Sequence, residues 1–225
     1  MDKRIAIIDY GAGNTRSVEK ALTHAGGHAT ITADPDAIAS ADGVVLPGVG
    51  AAADTMSNLE SRGLIQPIHD YIAAGKPFLG VCMGLQALLD WSEEGGGVDC
   101  LGIVPGVVSQ FPKDAGCKVP HMGWNTVHWL HEEHPITRGI PQDSYFYFVH
   151  SYYPSLDDQS YALGMTEYAG VSFPSVIAYE NFAATQFHPE KSGKHGLRIY
   201  ANFVEWVKAG TLDAAAARSR ATALA

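Results

Sequence analysis

Cys82 stands between two glycines in segment 80–86, whose sequence is Gly-Val-Cys-Met-Gly-Leu-Gln. An apolar run starts at residue 77 and ends at this cysteine, and a second apolar run, 85–91, has the composition of a helix. A strand, a tight turn and a helix in this order are typical of a nucleophile elbow. Glycines two residues before and after the nucleophile leave room for the neighbouring strand and helix. The spacing therefore predicts a nucleophilic Cys82, although an isolated cysteine of this kind is more often an ordinary core residue.

A His-Pro-Glu sequence at 188–190 supplies the groups that such a cysteine needs. A cysteine nucleophile requires a general base, and the base requires a carboxylate that orients it. His188 and Glu190 are two residues apart at the end of the strand-like run 182–184, so their side chains can face the same way. The sequence predicts a catalytic triad of Cys82, His188 and Glu190.

A glycine-rich turn follows the strand-like run 43–45 and contains Gly48, Val49 and Gly50. Glycines at the carboxyl end of a strand let backbone N–H groups approach a substrate closely. Together with the N–H of Met83, the residue after the nucleophile, Val49 and Gly50 are predicted to form an oxyanion hole.

These three motifs together resemble the class I (triad) glutamine amidotransferases, which pair a Gly-x-Cys-x-Gly-x-Gln elbow with a His-x-Glu dyad. The resemblance implies hydrolysis of the glutamine side-chain amide through a glutamyl thioester, with release of ammonia to a partner. It also implies a set of glutamine-binding residues: Gly48, Gln86, Glu94, Ser151 and Tyr152. Gln86 lies one helical turn beyond the nucleophile, which supports this role. Without the resemblance, Glu94 is better explained as part of a solvated helix end.

Four further segments narrow the resemblance to amidotransferase subunits that serve imidazole glycerol phosphate synthases: 7–17, 120–125, 147–152 and 189–192. The similarity extends from Arg4 to about Lys208. It implies a heterodimer with a (β/α)₈-barrel cyclase, which uses the ammonia to make imidazole glycerol phosphate and an aminoimidazole carboxamide ribonucleotide in histidine biosynthesis. It implies no cofactor and no metal. Four positions match residues near the subunit boundary and are candidates for partner contact and coupling, although simple packing explains them equally well: Asn14, Trp124, Tyr147 and Lys191.

The composition agrees with a cytoplasmic α/β enzyme. Of the 225 residues 46% are hydrophobic and 17% charged, and the formal net charge is −9 at pH 7. This negative charge argues against a nucleic-acid or anionic-membrane partner, since both require a basic surface. Three cysteines without a Cys-x-x-Cys spacing favour a reducing compartment without metal, and the N-terminus lacks the apolar core of a signal peptide. The length predicts a single domain over 1–210, followed by an alanine-rich tail at 211–225.

The pattern of elements predicts an α/β fold with a mostly parallel, doubly wound sheet and helices on both faces. Its first half alternates strands with helices, notably a strand at 4–8, a helix at 18–25 and an apolar helical stripe at 64–72. Segment 128–144 is predicted to be a peripheral connection, and a final helix is predicted at 195–208. Short strands are predicted to extend the same sheet in antiparallel or mixed fashion at 103–111, 124–129, 145–153, 161–166, 175–180 and 182–187.

Several alternatives remain open at this point. The chain could serve a different synthase, act as a free-standing thiol hydrolase, or be a silent binding subunit, although the presence of all three triad residues weighs against the last. Residues 11–13 resemble a phosphate loop, but Arg16 replaces its third glycine, and His131 and His134 have the wrong spacing for zinc. His150 is either a ligand or second base, or a hydrogen-bonded structural histidine.

Overall fold

The computed structural model describes residues 3–11, 13–112, 116–131 and 134–210. The predicted tail at 211–225 lies outside these residues. The helices are α1 (Thr15–His24), α2 (Pro35–Ser40), α3 (Ala52–Ser61), α4 (Ile65–Ala73), α5 (Met83–Gln86) and α6 (Gly193–Ala209). The strands are β1 (Arg4–Ile8), β2 (His28–Thr32), β3 (Gly43–Gly48), β4 (Phe78–Cys82), β5 (Trp91–Ser92), β6 (Val98–Asp99), β7 (Gly106–Gln110), β8 (His121–Trp129), β9 (Ser144–His150), β10 (Tyr152–Leu156), β11 (Ala162–Tyr168), β12 (Val171–Tyr179) and β13 (Phe182–Thr185).

Within the described residues, nine strands form a central sheet in the order β2-β1-β3-β4-β13-β12-β11-β8-β9. The five strands from β2 to β13 are parallel to one another, and β12, β11, β8 and β9 continue the sheet in antiparallel fashion. A parallel core with an antiparallel extension is therefore confirmed. Strands β4 and β13, which lead to Cys82 and His188, are neighbours at the centre of this sheet.

Strand β1 shows why helices cover both faces of the sheet. Ile5 and Ile7 point into a core shared with α1 and α6, whereas Ala6 and Ile8 point into a second core shared with α2, α3 and α4. Because successive side chains of a strand face opposite sides, a continuous apolar strand requires cover on both. The predicted doubly wound arrangement is confirmed.

Two strands predicted for the central sheet lie elsewhere. Among the described residues, β10, β7, β5 and β6 form a separate four-stranded sheet. The predicted strand 103–111 becomes β7 in this sheet, and the predicted strand 145–153 is divided at Ser151. Its first part, β9, pairs with β8, and its second part, β10, pairs with β7. Apolar alternation could not reveal this change of sheet, because both parts are half buried.

The predicted helix over 85–91 is wrong, since α5 ends at Gln86 and residues 91–92 form β5. The carbonyl groups of Ala87, Leu88 and Leu89 accept hydrogen bonds from the N–H groups of residues 101–104 instead of continuing a helical ladder. A contact with a segment distant in sequence therefore overrides the local helical preference.

The sequence pattern does not predict α2 and α3, and it predicts a peripheral connection at 128–144. Helix α2 carries recognisable start signals, because Pro35 occupies its first turn and the Asp34 carboxylate caps the Asp36 N–H. Within 128–144, Ile136 is buried, and its carbonyl accepts a hydrogen bond from Asn202 of α6 at 2.9 Å. Among the described residues, no helix is long and apolar enough to cross a membrane.

Candidate active site

Cys82 ends β4 at the point where α5 begins, and its backbone has φ 54° and ψ −104°. A positive φ is uncommon for a residue with a side chain, and such strain is concentrated at functional sites. Only 7% of the residue is exposed. The turn holds the cysteine at the carboxyl end of a central strand, as expected for a nucleophile elbow.

The glycines around the elbow are required by close packing. A Cβ atom on Gly80 would lie 2.8 Å from both the Ala184 Cβ and the Gly84 carbonyl oxygen. A Cβ atom on Gly84 would overlap the carbonyl oxygen of Leu46 in the neighbouring strand. At Gly48 it would lie 2.5 Å from the Tyr10 hydroxyl. Side chains at these three positions would collide with the strands and the helix α5 that are packed around the elbow.

We expect Gly84→Ala to lower the free energy of unfolding by about 1–3 kcal/mol, because the new methyl group meets backbone that cannot move aside. Urea unfolding followed by circular dichroism measures the change. The control is Gly13→Ala, whose Cβ would make only an ordinary 3.4 Å contact with Val49. Equal stability of the two variants would contradict this account of the elbow.

His188 and Glu190 form a buried pair just after β13. The His188 Nδ1 lies 2.7 Å from the Glu190 Oε1, and the two side chains are 1% and 2% exposed. Glu190 also accepts hydrogen bonds from the Asn14 amide and, at 3.1 Å, from the Tyr200 hydroxyl. These contacts fix the carboxylate, and the carboxylate fixes the orientation of the ring. The other ring nitrogen, Nε2, has no hydrogen-bond partner of normal geometry among the described residues.

The electrostatics of the site favour a protonated His188. Burial by itself lowers the pKa of this ring, but the adjacent Cys82 sulfur and the Glu190 carboxylate raise it more, and the resulting pKa is about 9. Burial likewise opposes ionisation of Glu190, yet its hydrogen bond with His188 holds the pKa of that carboxyl below its ordinary value. The structure therefore brings the three predicted triad residues together as a sulfur, an imidazolium and a carboxylate.

The predicted oxyanion residues lie beside the cysteine. Gly48 is the direct neighbour of Cys82 in the pairing of β3 with β4. Val49 follows it, with 36% of its surface exposed, and Gly50 has φ 107°, which favours glycine. Met83 is the first residue of α5, a position whose N–H has no partner within a helix. The pairing thus places the turn that contains Val49 and Gly50 directly after the strand position opposite Cys82.

The predicted glutamine-binding residues are divided between two places. The amide of Gln86 is buried and donates to the Tyr152 carbonyl at 2.9 Å and to the Gln186 Oε1 at 3.0 Å. Ser151 precedes Tyr152 at the break between β9 and β10. Glu94 instead accepts a hydrogen bond from the Ala52 N–H at the start of α3, at 2.7 Å. The glutamine-binding role of all five residues stays a prediction.

The four candidates for partner coupling also contact the triad segment or one another. Trp124 is 56% exposed, and its ring packs edge-on against that of Tyr147 at 6.2 Å. The Lys191 ammonium lies 5.9 Å from the centre of the Tyr147 ring. The Tyr147 carbonyl accepts a hydrogen bond from the His188 N–H at 3.0 Å. Asn14 is hydrogen-bonded to Glu190, whereas the sequence analysis names it only as a candidate for partner contact and coupling.

Sequence reasoning missed Gln186 and Tyr200. The Gln186 amide nitrogen lies 3.8 Å from the Cys82 sulfur, although Gln186 is only two residues before the predicted base His188. Burial raises the pKa of Tyr200 well above its ordinary value, so its hydroxyl remains a donor to Glu190. Nothing in the spacing of α6 distinguishes Tyr200 from a core residue. In the part of the chain that the structure describes, no group of three or more His, Cys, Asp or Glu side chains is placed to hold a metal ion.

Both the sequence and the fold of the chain are similar to those of known proteins. A family described as glutamine amidotransferase class-I matches residues 6–206. The structure of PurLQS from Thermotoga maritima shares the fold, with a TM-score of 0.72 at 18% identity over 91% of this chain and 99% of that one. The glutaminase domain of a Trypanosoma brucei CTPS has a TM-score of 0.61 at 16% identity over 93% of this chain and 95% of that one. The chain therefore belongs to the class-I glutamine amidotransferase family.

More similar relatives define its place within the family. An imidazole glycerol phosphate synthase subunit HisH from Desulfitobacterium hafniense is 50% identical over 205 residues, 90% of this chain and 94% of that protein. A protein of the same name from Chloroflexus aurantiacus is 49% identical over 207 residues, 91% of this chain and 97% of the relative. Within the class-I family, the chain belongs to the HisH subunits of imidazole glycerol phosphate synthase.

Proposed function

We propose that this chain is the glutaminase subunit of an imidazole glycerol phosphate synthase, and that Cys82, His188 and Glu190 are its catalytic triad. One observation carries the proposal. The sulfur of Cys82 lies at a strained elbow next to the buried His188, whose Nδ1 is hydrogen-bonded to the Glu190 carboxylate. The similarity to HisH subunits supplies the substrate, L-glutamine, and the synthase.

The reaction proceeds in two stages. The sulfur of Cys82 attacks the amide carbon of glutamine, and the protonated His188 Nε2 gives its proton to the leaving nitrogen. Ammonia departs and a glutamyl thioester remains. A water molecule then gives a proton to His188 and attacks the thioester, which releases glutamate and regenerates the sulfur. Glu190 keeps the ring in position and stabilises its positive charge throughout.

Charge on the substrate oxygen develops twice, once in each stage. The N–H of Met83 and the N–H groups around Val49 and Gly50 are the proposed donors to this oxygen. Because Gly50 tolerates a positive φ, a rotation of one peptide in segment 47–50 would turn an N–H toward the oxygen. This segment is therefore the proposed element through which a partner controls the rate.

Free ammonia is lost to bulk water unless a second active site receives it directly. We propose that the receiver is a (β/α)₈-barrel cyclase, docked over the surface that carries Trp124, Tyr147 and Lys191. The contact of Tyr147 with the His188 backbone gives this surface a physical connection to the triad. Asn14 would extend the same connection through Glu190.

The test is a steady-state glutaminase assay of the chain alone, with the cyclase, and with the cyclase and its nucleotide substrate. We expect low activity in the isolated chain and higher activity in the loaded complex, a coupling between two sites. Lys191→Ala should reduce the stimulation, whereas the control Lys20→Ala removes an equal charge from exposed α1 and should not.

Full activity of the isolated chain, unchanged by cyclase or nucleotide, would contradict the coupling and favour a free-standing hydrolase. Stimulation by the ammonia-accepting subunit of another synthase, and not by the cyclase, would assign the chain to that synthase instead.

A further inference from the structure

A buried histidine pair lies behind the glutamine site and has no part in the triad chemistry. His121 of β8 and His150 of β9 are direct neighbours across the two strands, and the His121 Nδ1 lies 3.0 Å from the His150 Nε2. The two residues are 3% and 6% exposed. Aromatic rings enclose the pair: Phe111, Phe148, Tyr168 and Phe173.

The outer hydrogen bonds of the two rings determine which nitrogen donates and which accepts within the pair. The His150 Nδ1 lies 2.7 Å from the Tyr152 carbonyl oxygen, which can only accept, so this nitrogen carries a proton. Burial lowers the pKa of His150 to about 3 and that of His121 to about 4, so both rings are neutral at neutral pH. The His150 Nε2 is then an acceptor, and the His121 Nδ1 donates to it.

The outer end of the pair agrees with this assignment. The His121 Nε2 must accept, and the Asn125 amide nitrogen lies 3.3 Å from it. The orientation of that amide is set independently, because its oxygen accepts from the Thr126 N–H at 2.8 Å and its nitrogen donates to the Glu167 carbonyl at 2.9 Å. Asn125 therefore donates to His121, His121 to His150, and His150 to the Tyr152 carbonyl, so each donor lies farther from the active site than its acceptor.

The same Tyr152 carbonyl is shared with the glutamine site. Its second hydrogen bond comes from the Gln86 amide at 2.9 Å, and Gln86 in turn donates to Gln186 at 3.0 Å. Because the Gln186 oxygen is occupied in this way, its nitrogen faces the Cys82 sulfur, at 3.8 Å. The position of one carbonyl thus fixes the orientation of two amides beside the nucleophile.

We propose that the His121–His150 pair is a positioning element of the glutamine site, which holds the Tyr152 carbonyl and thereby orients the amides of Gln86 and Gln186. The inference rests on the proposed glutaminase function. It decides between the two interpretations of His150 that the sequence left open. Both ring nitrogens are engaged by neighbours of the site, so His150 is not a second base.

Two substitutions separate the two hydrogen bonds of His150. In His150→Asn, the amide nitrogen replaces Nδ1 and still donates to the Tyr152 carbonyl. In His150→Gln, the amide lies at the place of Nε2, so that it meets His121 and does not reach the carbonyl. A role in positioning predicts that these variants differ, whereas a role in packing alone predicts equal damage, because both remove the ring.

The experiment is a glutamine titration of the glutaminase rate in the complex with cyclase and nucleotide. We expect His150→Gln to raise KM for glutamine about tenfold with kcat within about threefold of wild type, because the Tyr152 carbonyl has lost one of its two donors. In His150→Asn, KM should stay within about threefold of the wild-type value. His134→Gln is the matched control, a partly buried histidine that packs against Trp206 of α6 and should leave both constants unchanged.

A second measurement needs no turnover. A chloroketone analogue of glutamine should alkylate Cys82 with a weaker apparent binding constant in His150→Gln, while the rate of alkylation by iodoacetamide stays the same. If His150→Gln fails to fold, the corresponding pair His121→Asn and His121→Gln gives the same comparison one step further out. Equal KM in all folded variants, or equal loss in the asparagine and glutamine variants, would overturn the inference. An inactive wild-type complex would instead overturn the proposed function.

Discussion

Replacing Cys82 with alanine is expected to lower glutamine-dependent turnover by about 10³-fold or more, because the covalent route through a thioester needs the sulfur. The synthase reaction should survive when ammonium salts replace glutamine, since the ammonia-using chemistry belongs to the other subunit. Parallel assays of the reconstituted complex with each nitrogen source measure both quantities.

The other two cysteines provide the control for this prediction. Cys100 is partly buried and Cys117 is exposed, and neither belongs to the elbow segment 80–86. Cys100→Ala and Cys117→Ala should keep glutamine-dependent turnover within about threefold of wild type. Near-normal glutaminase activity in Cys82→Ala would show that the nucleophile is wrongly assigned.

His188→Ala is expected to be nearly as damaging as the loss of Cys82, whereas Glu190→Gln should retain at least about tenfold more activity than His188→Ala. The reason is that the ring transfers protons to and from the reacting groups, while the carboxylate only positions it and stabilises its charge. Removing an exposed ring in His128→Ala, which pairs with Asp143 at the surface, is the control and should change little.

The pH profile distinguishes this role of Glu190 from simple packing. Glu190 raises the pKa of His188, so a neutral glutamine in its place should lower that pKa. Because the leaving nitrogen needs a proton from His188, the alkaline limb of the kcat profile should move to lower pH in Glu190→Gln. An alkaline limb at the wild-type position, or full activity in both variants, would exclude the dyad.

The parts of the site that the sequence revealed are those that depend on neighbours along the chain. The glycines around Cys82 and the two-residue spacing of His188 and Glu190 reflect steric and geometric requirements within a few residues. The structure brings these features together as expected. The same holds for β1, whose unbroken apolar run requires cover on both faces.

The parts that the sequence could not reveal depend on contacts between distant segments. The helix that begins after the elbow stops at Gln86 because residues 101–104 occupy the carbonyl groups that would continue it. Tyr200 and Asn14 reach Glu190 from helix α6 and from the loop before α1, and neither has a local pattern that indicates this. The break at Ser151, where the chain changes sheets, likewise depends on the partner strand β7.

The position of β13 has a consequence for the biosynthesis of the chain. Among the strands that the structure describes, β13 is the last to be synthesised, yet it lies in the middle of the central sheet, between β4 and β12. A nascent chain that ends before residue 182 leaves β4 and β12 without their shared neighbour and lacks the histidine altogether. The sheet and the proposed triad therefore both depend on the same late-synthesised segment. In the proposed mechanism, a chain that ends before residue 182 already contains the nucleophile Cys82 but lacks the base that the release of ammonia requires.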